Sequence, residues 1–441
     1  MATSVQVKGA VLITPSEQTP AHILQLSALD SQLFLRFTIE YLLVYRPRHE
    51  TDRASTTARL KSALGRALVP YYPLAGRIRC RADGSGLEVV CRSQGAVFIE
   101  ALSDDHTTSS DFERAPRFVT QWRKLLTLQV ADVLKGVPLV VQLTWLSDGA
   151  AALGVGFVHS LCDGIGSAEF LNTFAELASN DRHGLSELRP KPVWTRHLLD
   201  PSPFWGRRAS SVAHPEFTRV PDLCSFMSCF SQDKLTPSSV TFGRGSIGEF
   251  KKLATSTSRP SNTPYTSFEV LSAHVWRSWA RALNLPSNQV LKLLFSMDVR
   301  KRVKPSLPSG FYGNAIVLGC AQTTAKDLTT KGLGHATELV RKAKERVGDE
   351  YVREVVELVS STRVSPDSVG VLIMSQWSRI GLERVDFGMG RPVQVGPVCS
   401  DRYCLLLPVY DQREAVKVML AVPTCSVDKY ESLLRSTMSS D

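Results

Sequence analysis

His159-Ser160-Leu161-Cys162-Asp163, followed at once by Gly164, combines residue types that can move a proton. An imidazole at the mouth of a cleft can serve as a general base near neutral pH, and a carboxylate four residues on can fix the geometry around it. The flanking sequence supplies elements to hold them. Leu139 to Leu146 is apolar, Asp148-Gly149 is a turn pair, and Ala151 to Val158 is apolar again. That pattern predicts a β-hairpin whose second strand delivers His159. Ala168, Leu171, Phe174, Ala175 and Ala178 share one helical face, so a helix should follow, with Asp163 in its first turn. Taken alone the motif is common: with nine histidines and aspartate at about 6% of residues, roughly half a match arises by chance. A surface histidine near a helix start is the plain reading of it.

Other stretches bear on the chemistry. Asp386-Phe387-Gly388-Met389-Gly390 is a loop that needs the backbone freedom of glycine. A kinase reading of Asp-Phe-Gly has no His-Arg-Asp loop to accompany it. Gly243-Arg-Gly245-Ser-Ile-Gly248 matches the dinucleotide fingerprint between a strand at Val240–Phe242 and a helix at Glu249–Ala254. No second βαβ unit follows and no acidic residue ends the next strand, so a strand-to-helix turn is favoured. Neither a Walker A sequence nor a Gly-x-Ser-x-Gly elbow occurs. Arg300 lies in the cationic Asp298-Val-Arg300-Lys301-Arg302 stretch, either as solvated surface or holding Asp163 or Asp386 in bidentate fashion. Ser375-Gln376-Trp377 places an indole N–H donor just before the Asp386 loop, and a core tryptophan is the alternative.

Composition narrows the classes. A chain of 441 residues, 43% hydrophobic and 21% charged, is ordinary for a globular protein of two or three domains. The net charge of +10 is dispersed, without basic runs interleaved with aromatics, which argues against nucleic acid. It would suit an anionic ligand drawn into a basic channel, or simple solubility. Nine cysteines without a Cys-x-x-Cys pair or matching histidines argue against zinc and for a reducing compartment. No signal peptide and no membrane-length apolar run appear, so no metal, no membrane span and a cytoplasmic location are expected.

Along the chain, short strands are expected at Val5–Lys8 and Val11–Ile13, a strong strand over Arg36–Tyr45, and a helix over Thr56–Leu68 with Thr56 as its cap. Residues 1–180 form an N-terminal domain. Proline-rich residues 181–223, with Trp194 and Trp205, form a packed crossover, and residues 224–441 form a C-terminal domain. In the latter, Thr266-Ser267-Phe268-Glu269 reads as a capping box opening a helix through Arg281. Strands are expected at Leu291–Ser296 and Ala315–Leu318, and helix over most of Gly334–Val359. Two α+β halves joined by a crossover leave a cleft between them.

His159-x-x-x-Asp163-Gly164 followed by Asp386-Phe-Gly-x-Gly390 resembles the BAHD acyltransferases of plants. Tyr71-Tyr-Pro-Leu-Ala-Gly-Arg77, His274-Val-Trp-Arg277, Asp298-Val-Arg300 and Gly310-Phe-Tyr-Gly-Asn314 extend the resemblance over nearly the whole chain. It implies an α/β (α+β) fold of two similar domains of the chloramphenicol acetyltransferase type, with the active site in a channel between them. It implies acyl-coenzyme A as a co-substrate, no permanently bound cofactor, and a monomer that takes a small alcohol or amine acceptor. His159 would be the general base, without a covalent acyl-enzyme. Trp377 would donate to the tetrahedral intermediate, Ser375 would add a polar substrate contact, and Asp163 would turn away to pair with Arg300. The Asp386, Gly388 and Gly390 loop would be architectural, with Met389 replacing the family's usual tryptophan. His274 to Arg277 would lie near the coenzyme A site, with Thr266 and Ser267 as contacts.

Lys191-Pro-Val-Trp194-x-Arg196 resembles the branch acting on volatile, aromatic and fatty alcohols. The expected activity is therefore transfer of an acetyl, benzoyl or hydroxycinnamoyl group to an aromatic or phenylpropanoid-type alcohol. The alternatives are hydroxycinnamoyl transfer to ω-hydroxy fatty acids or fatty alcohols, and a non-catalytic accessory of fatty-acid elongation.

Overall fold

The computed structural model describes residues 5–48, 52–103, 107–125, 136–179, 191–202, 213–230, 234–257, 263–362, 364–399 and 403–436. The strands in chain order are β1 (Val5–Ile13), β2 (His22–Gln25), β3 (Thr38–Tyr45), β4 (Arg77–Cys80), β5 (Leu87–Cys91), β6 (Ala96–Ser103), β7 (Leu139–Trp145) and β8 (Ala151–Val158). They continue with β9 (Leu235–Phe242), β10 (Val290–Asp298), β11 (Ile316–Thr324), β12 (Val371–Gln376), β13 (Gln394–Pro397), β14 (Tyr403–Val409) and β15 (Gln412–Pro423). The helices are α1 (Arg53–Ala67), α2 (Gly164–Ser179), α3 (Arg244–Ser256), α4 (Ser267–Leu283), α5 (Ala325–Thr330), α6 (Leu333–Arg346), α7 (Asp349–Thr362) and α8 (Val427–Arg435).

Two mixed six-stranded sheets organise the fold, ordered β1-β6-β7-β8-β3-β13 and β11-β10-β12-β14-β15-β9, beside a small β2-β5-β4 sheet. Each large sheet carries helices over its own core, giving the expected pair of similar α/β units. β7 is buried at every position, because both of its faces are covered. Its hairpin to β8 turns at Gly149, whose φ of 81° suits glycine, while Asp148 Oδ1 accepts from Ala150 N at 3.0 Å.

β13 comes from the C-terminal part of the chain yet pairs antiparallel with β3, Gln394 opposite Val44 and Pro397 opposite Tyr41. Trp377, Phe387, Met389, Leu405 and Leu407 likewise belong to the N-terminal core, together with Tyr41, Phe157 and Phe170. The second sheet's core gathers Trp276 and Trp279 of α4 with Leu291, Leu293 and Phe295 of β10.

Several local expectations need correction. β1 is one strand, with a register shift between Val7 and Gly9 where two were expected. α1 begins three residues early, because Asp52 rather than Thr56 caps it, accepting from Ala54 N at 3.2 Å and Ser55 N at 3.1 Å. β3 starts at Thr38, and β10, β11 and α3 outrun their expected bounds. The 334–359 stretch is two helices, α6 and α7, broken at Val347–Gly348. Of the crossover aromatics, Trp194 packs on Tyr312 at 5.0 Å and Tyr72 at 5.6 Å, while Trp205 lies outside the described residues.

Candidate active site

β8 ends at Val158, and His159–Leu161 forms a single tight turn before Cys162 returns to extended backbone. His159 N donates to Phe37 O at 2.9 Å, which ties the turn to the chain entering β3. The half-buried imidazole meets the Phe37 ring edge-on at 5.2 Å, and Phe37 in turn lies 6.3 Å from Tyr403 of β14. Burial pushes the His159 pKa below its ordinary value, against smaller upward pulls from its own backbone, Asp163 and Asn314. The ring is therefore neutral at pH 7, the protonation state a base requires.

Asp163 precedes α2 and caps it instead of sitting in its first turn. Its Oδ1 accepts from Gly166 N at 3.0 Å. The carboxylate is fully buried and meets Arg300 in bidentate fashion, with Nη1 to Oδ2 at 2.9 Å and Nη2 to Oδ1 at 3.1 Å. Ala315 N adds a bond to Oδ2 at 3.0 Å. Burial works to raise the Asp163 pKa, but Arg300 and the backbone donors outweigh it and hold the group below the usual carboxylate range. Arg300 also donates to the carbonyls of Phe311 and Gly313 and to Asp298. Asp163 and Arg300 thus join the start of α2 to the 298–315 segment of the other unit, and every acceptor site on the carboxylate is taken by protein.

Trp377 follows β12, its N–H bonded to Leu406 O at 2.8 Å. The indole lies against Gly164, where an added Cβ would come within 2.8 Å of Cζ3, and edge-on to Tyr41 at 5.5 Å. Its Nε1 is buried and has no acceptor among the described residues. A buried donor without a partner marks a place where another acceptor can sit. Ser375 lies two residues earlier on β12, half-buried, on the face shared with Ile373 and opposite to core residues Leu372 and Met374. Ser375 and Tyr403 thus share a face of the second sheet, and Phe37 links Tyr403 to His159 at the end of the first.

The Asp386 loop sits elsewhere. Gly390 N donates to Asp386 Oδ1 at 2.7 Å, Ser179 Oγ bonds the Asp386 carbonyl, and Arg59 Nη2 donates to Phe387 O at 3.1 Å. Phe387 packs on Phe174 at 4.7 Å, and Tyr45 donates to Val385 O at 3.1 Å. Tyr45 ends the eight-residue strand that begins at Thr38, the residue beside the His159 contact. The loop is therefore roughly 24 Å from the histidine end at about 3.4 Å per residue. Gly388 and Gly390 have φ of 79° and 87°, and a Cβ at either would collide with Arg59 or Arg48. Met389 is buried in the N-terminal core.

Thr266 caps α4 in a reciprocal box with Glu269, at 3.3 and 2.8 Å. Lys344 Nζ reaches Glu269 at 2.5 Å, so a cation stands beside this helix start. His274 to Arg277 are core residues instead of lining a site. His274 stacks on Phe250 at 4.2 Å and bonds Leu434 O at 2.9 Å, and Arg277 Nε donates to Leu328 O at 3.2 Å. Gly243, Gly245 and Gly248 face open space, so this turn brings no backbone into close packing. Among the described residues no group of three or more His, Cys, Asp or Glu is placed to hold a metal, and no helix is long and apolar enough to cross a membrane.

The sequence pattern of the Transferase family matches residues 3–435. The chain belongs to this family, the BAHD acyltransferases. As a BAHD member it is an acyl-coenzyme A-dependent acyltransferase acting on alcohols. It is 31% identical to a taxadien-5-alpha-ol O-acetyltransferase of Taxus chinensis, over 98% of this chain and 97% of that one. It is 30% identical to a fatty alcohol:caffeoyl-CoA acyltransferase of Arabidopsis thaliana, over 97% of each. Its fold superimposes on vinorine synthase with a TM-score of 0.73 at 20% identity, covering 97% and 96% of the two chains. Sequence reasoning overlooked Phe37 and Tyr403 at this BAHD site, because a lone aromatic at an element's end has no periodic signature. Asn314 was visible only as part of Gly310–Asn314.

Proposed function

We propose that this BAHD enzyme transfers an acetyl, benzoyl or hydroxycinnamoyl group from coenzyme A to an aromatic or phenylpropanoid-type alcohol, with His159 as the general base. The observation that carries this reading is the neutral imidazole of His159 against Phe37, in the same protein as the unpartnered indole donor of Trp377 beside Gly164. His159 removes the hydroxyl proton as the acceptor oxygen attacks the thioester carbonyl. The carbonyl electrons move onto oxygen, where the Trp377 N–H stabilises the anion. Collapse breaks the C–S bond, and His159 returns the proton to the departing thiolate, so no covalent acyl-enzyme forms. Ser375 adds a polar contact to the substrates. Asp163, Arg300 and the Asp386–Gly390 loop hold the scaffold without touching them.

Thr266 and Ser267, at the start of α4, are the proposed contacts for an anionic group of coenzyme A, which the helix N-terminus would favour. Near Phe37, a small cleft of mixed polar and apolar lining opens between Ser31, Leu33 and Arg36 on one unit and Val359, Ser360 and Val364 near the end of α7 on the other. Its Arg36 is adjacent to Phe37, the residue that meets His159 edge-on. The fatty-alcohol relative favours a second reading, hydroxycinnamoyl transfer to fatty alcohols or ω-hydroxy fatty acids.

Six free thiols among the described residues, Cys80, Cys91, Cys162, Cys320, Cys404 and Cys425, support a reducing, cytoplasmic setting. The test is coenzyme A release across a matrix of acyl donors and alcohols, beside His159→Ala. Release that depends on the acceptor and falls by about 10²–10⁴ in the variant supports the base. No release by the folded wild type with any pair, or release unchanged in the variant, would instead support an elongation accessory.

A further inference from the structure

Beneath the His159 turn lies a second buried ion pair that the chemistry above does not use. Arg196 is 1% exposed and places Nη1 2.8 Å from Oδ2 of the fully buried Asp30. Its Nη2 donates to Leu161 O at 2.7 Å. Asp30 Oδ1 accepts from Asn314 N and Nδ2 at 2.8 and 2.9 Å, and Oδ2 accepts from Ser27 N and Oγ at 2.9 and 2.8 Å. Asn314 Nδ2 also donates to His159 O at 2.7 Å. The carbonyls of His159 and Leu161, the first and last residues of the turn, are thus both held by this cluster.

Each member comes from a different part of the chain. Asp30 lies in the loop before β3, Arg196 in the crossover, and Asn314 just before β11. Delivery of Arg196 is itself built in. Val193 bridges to Phe311, Tyr312 N donates to Val193 O at 3.0 Å, and Trp194 packs on Tyr312. Gly313 leaves room for the guanidinium, since a Cβ there would sit 3.2 Å from Nη1. Burying an arginine and an aspartate is a poor route to stability, because desolvation offsets much of their attraction. A three-residue turn between a strand and a helix makes few hydrogen bonds of its own. Asp163 and Arg300 hold only its far end.

We propose that Asp30, Arg196 and Asn314 are positioning residues that set the orientation of the His159 ring, so that the crossover takes part in forming the reactive geometry. This rests on His159 being the base. Arg196→Ala, Arg196→Lys and Asn314→Ala in the full chain, compared with His159→Ala, test it by steady-state coenzyme A release over pH. The folded Arg196→Ala and Asn314→Ala variants should lose about 100-fold in kcat with the KM for acyl-coenzyme A within about twofold, the size expected of a misplacement near 1 Å. The acidic limb of their kcat profile should move up toward the ordinary histidine range as the ring gains water. Low-millimolar guanidinium should restore part of kcat in Arg196→Ala and none in His159→Ala. Lysine, a point charge, cannot serve Asp30 and Leu161 O together, so Arg196→Lys should show the same pH shift. It and Asn314→Ala decide the matter should Arg196→Ala not fold. Normal kcat in folded Arg196 variants beside an inactive His159→Ala overturns the proposal alone. So does a loss that neither shifts the pH limb nor responds to guanidinium. An active His159→Ala overturns the base reading and this proposal with it.

Discussion

Asp163→Asn keeps the shape of the side chain and removes one acceptor and the charge. The wild-type carboxylate accepts four hydrogen bonds, from Arg300 Nη1 and Nη2, Gly166 N and Ala315 N. An amide oxygen can serve one pair of these donors, and its NH2 then opposes the other pair. Breaking a buried ion pair costs about 3–5 kcal/mol, because the remaining charge stays desolvated. Arg300 keeps Asp298 at 3.0 Å and two carbonyls, which places the loss toward the lower end, near 3 kcal/mol. That is a large share of the roughly 5–15 kcal/mol that holds a domain folded. Urea unfolding followed by tryptophan fluorescence measures it. The folded pKa of Asp163 is lowered, so its stabilisation is complete above the unfolded value of about 3.9 and disappears as pH falls through the folded value. The gap between wild type and variant should accordingly be flat from neutral pH down to about 5 and close in acid. Well below its melting temperature the folded variant should keep kcat within about tenfold, since no carboxylate oxygen is left over for a substrate. A variant as stable as wild type but inactive would refute this reasoning and place the carboxylate in the chemistry.

Trp377→Phe retains most of the ring and removes the unpartnered Nε1 donor. Its kcat should fall by about 10²–10³ with little change in the KM for acyl-coenzyme A, and an unchanged kcat would reduce the indole to a wall. Gly164→Ala puts a methyl 2.8 Å from the same ring. It should cost about 1–3 kcal/mol by overpacking and lower kcat by moving the indole, visible as a change in near-ultraviolet dichroism. His274, stacked on Phe250, has its pKa pushed down to about 4 by burial. Below pH ~6.5 the unfolded chain binds a proton that the fold refuses, so stability should decline by about 3 kcal/mol between pH 7 and 4. His274→Gln, which can still donate to Leu434 O, should flatten that decline in calorimetry.

What could be read before folding follows from the range of the forces involved. The hairpin that delivers His159, its Asp148-Gly149 turn and the Thr266–Glu269 cap are local devices, each complete within a few residues. Asp52 displaced Thr56 as the cap of α1 because both types satisfy the same donors, and sequence cannot say which residue the first turn meets. β13 was invisible for another reason. Four residues without a turn or alternation signal join a sheet built mainly from a distant part of the chain.

The same contrast runs through the site. Asp163 and Arg300 were legible as a pair because both lie in recurring motifs, whereas Asp30 has nothing around it to distinguish it from a solvated acid. Its role depends on Arg196 and Asn314 reaching it from two other parts of the chain. Long-range polar contacts of this kind leave no periodicity in sequence, although they determine where the backbone of the His159 turn comes to rest. The residues that touch the substrates and the residues that hold those in place are therefore not equally readable. In this chain the second group spans both folded units and the crossover between them. Separation of the two units should thus cost His159 its orientation, because the carbonyls of its turn are held by Arg196 of the crossover and Asn314 of the second unit.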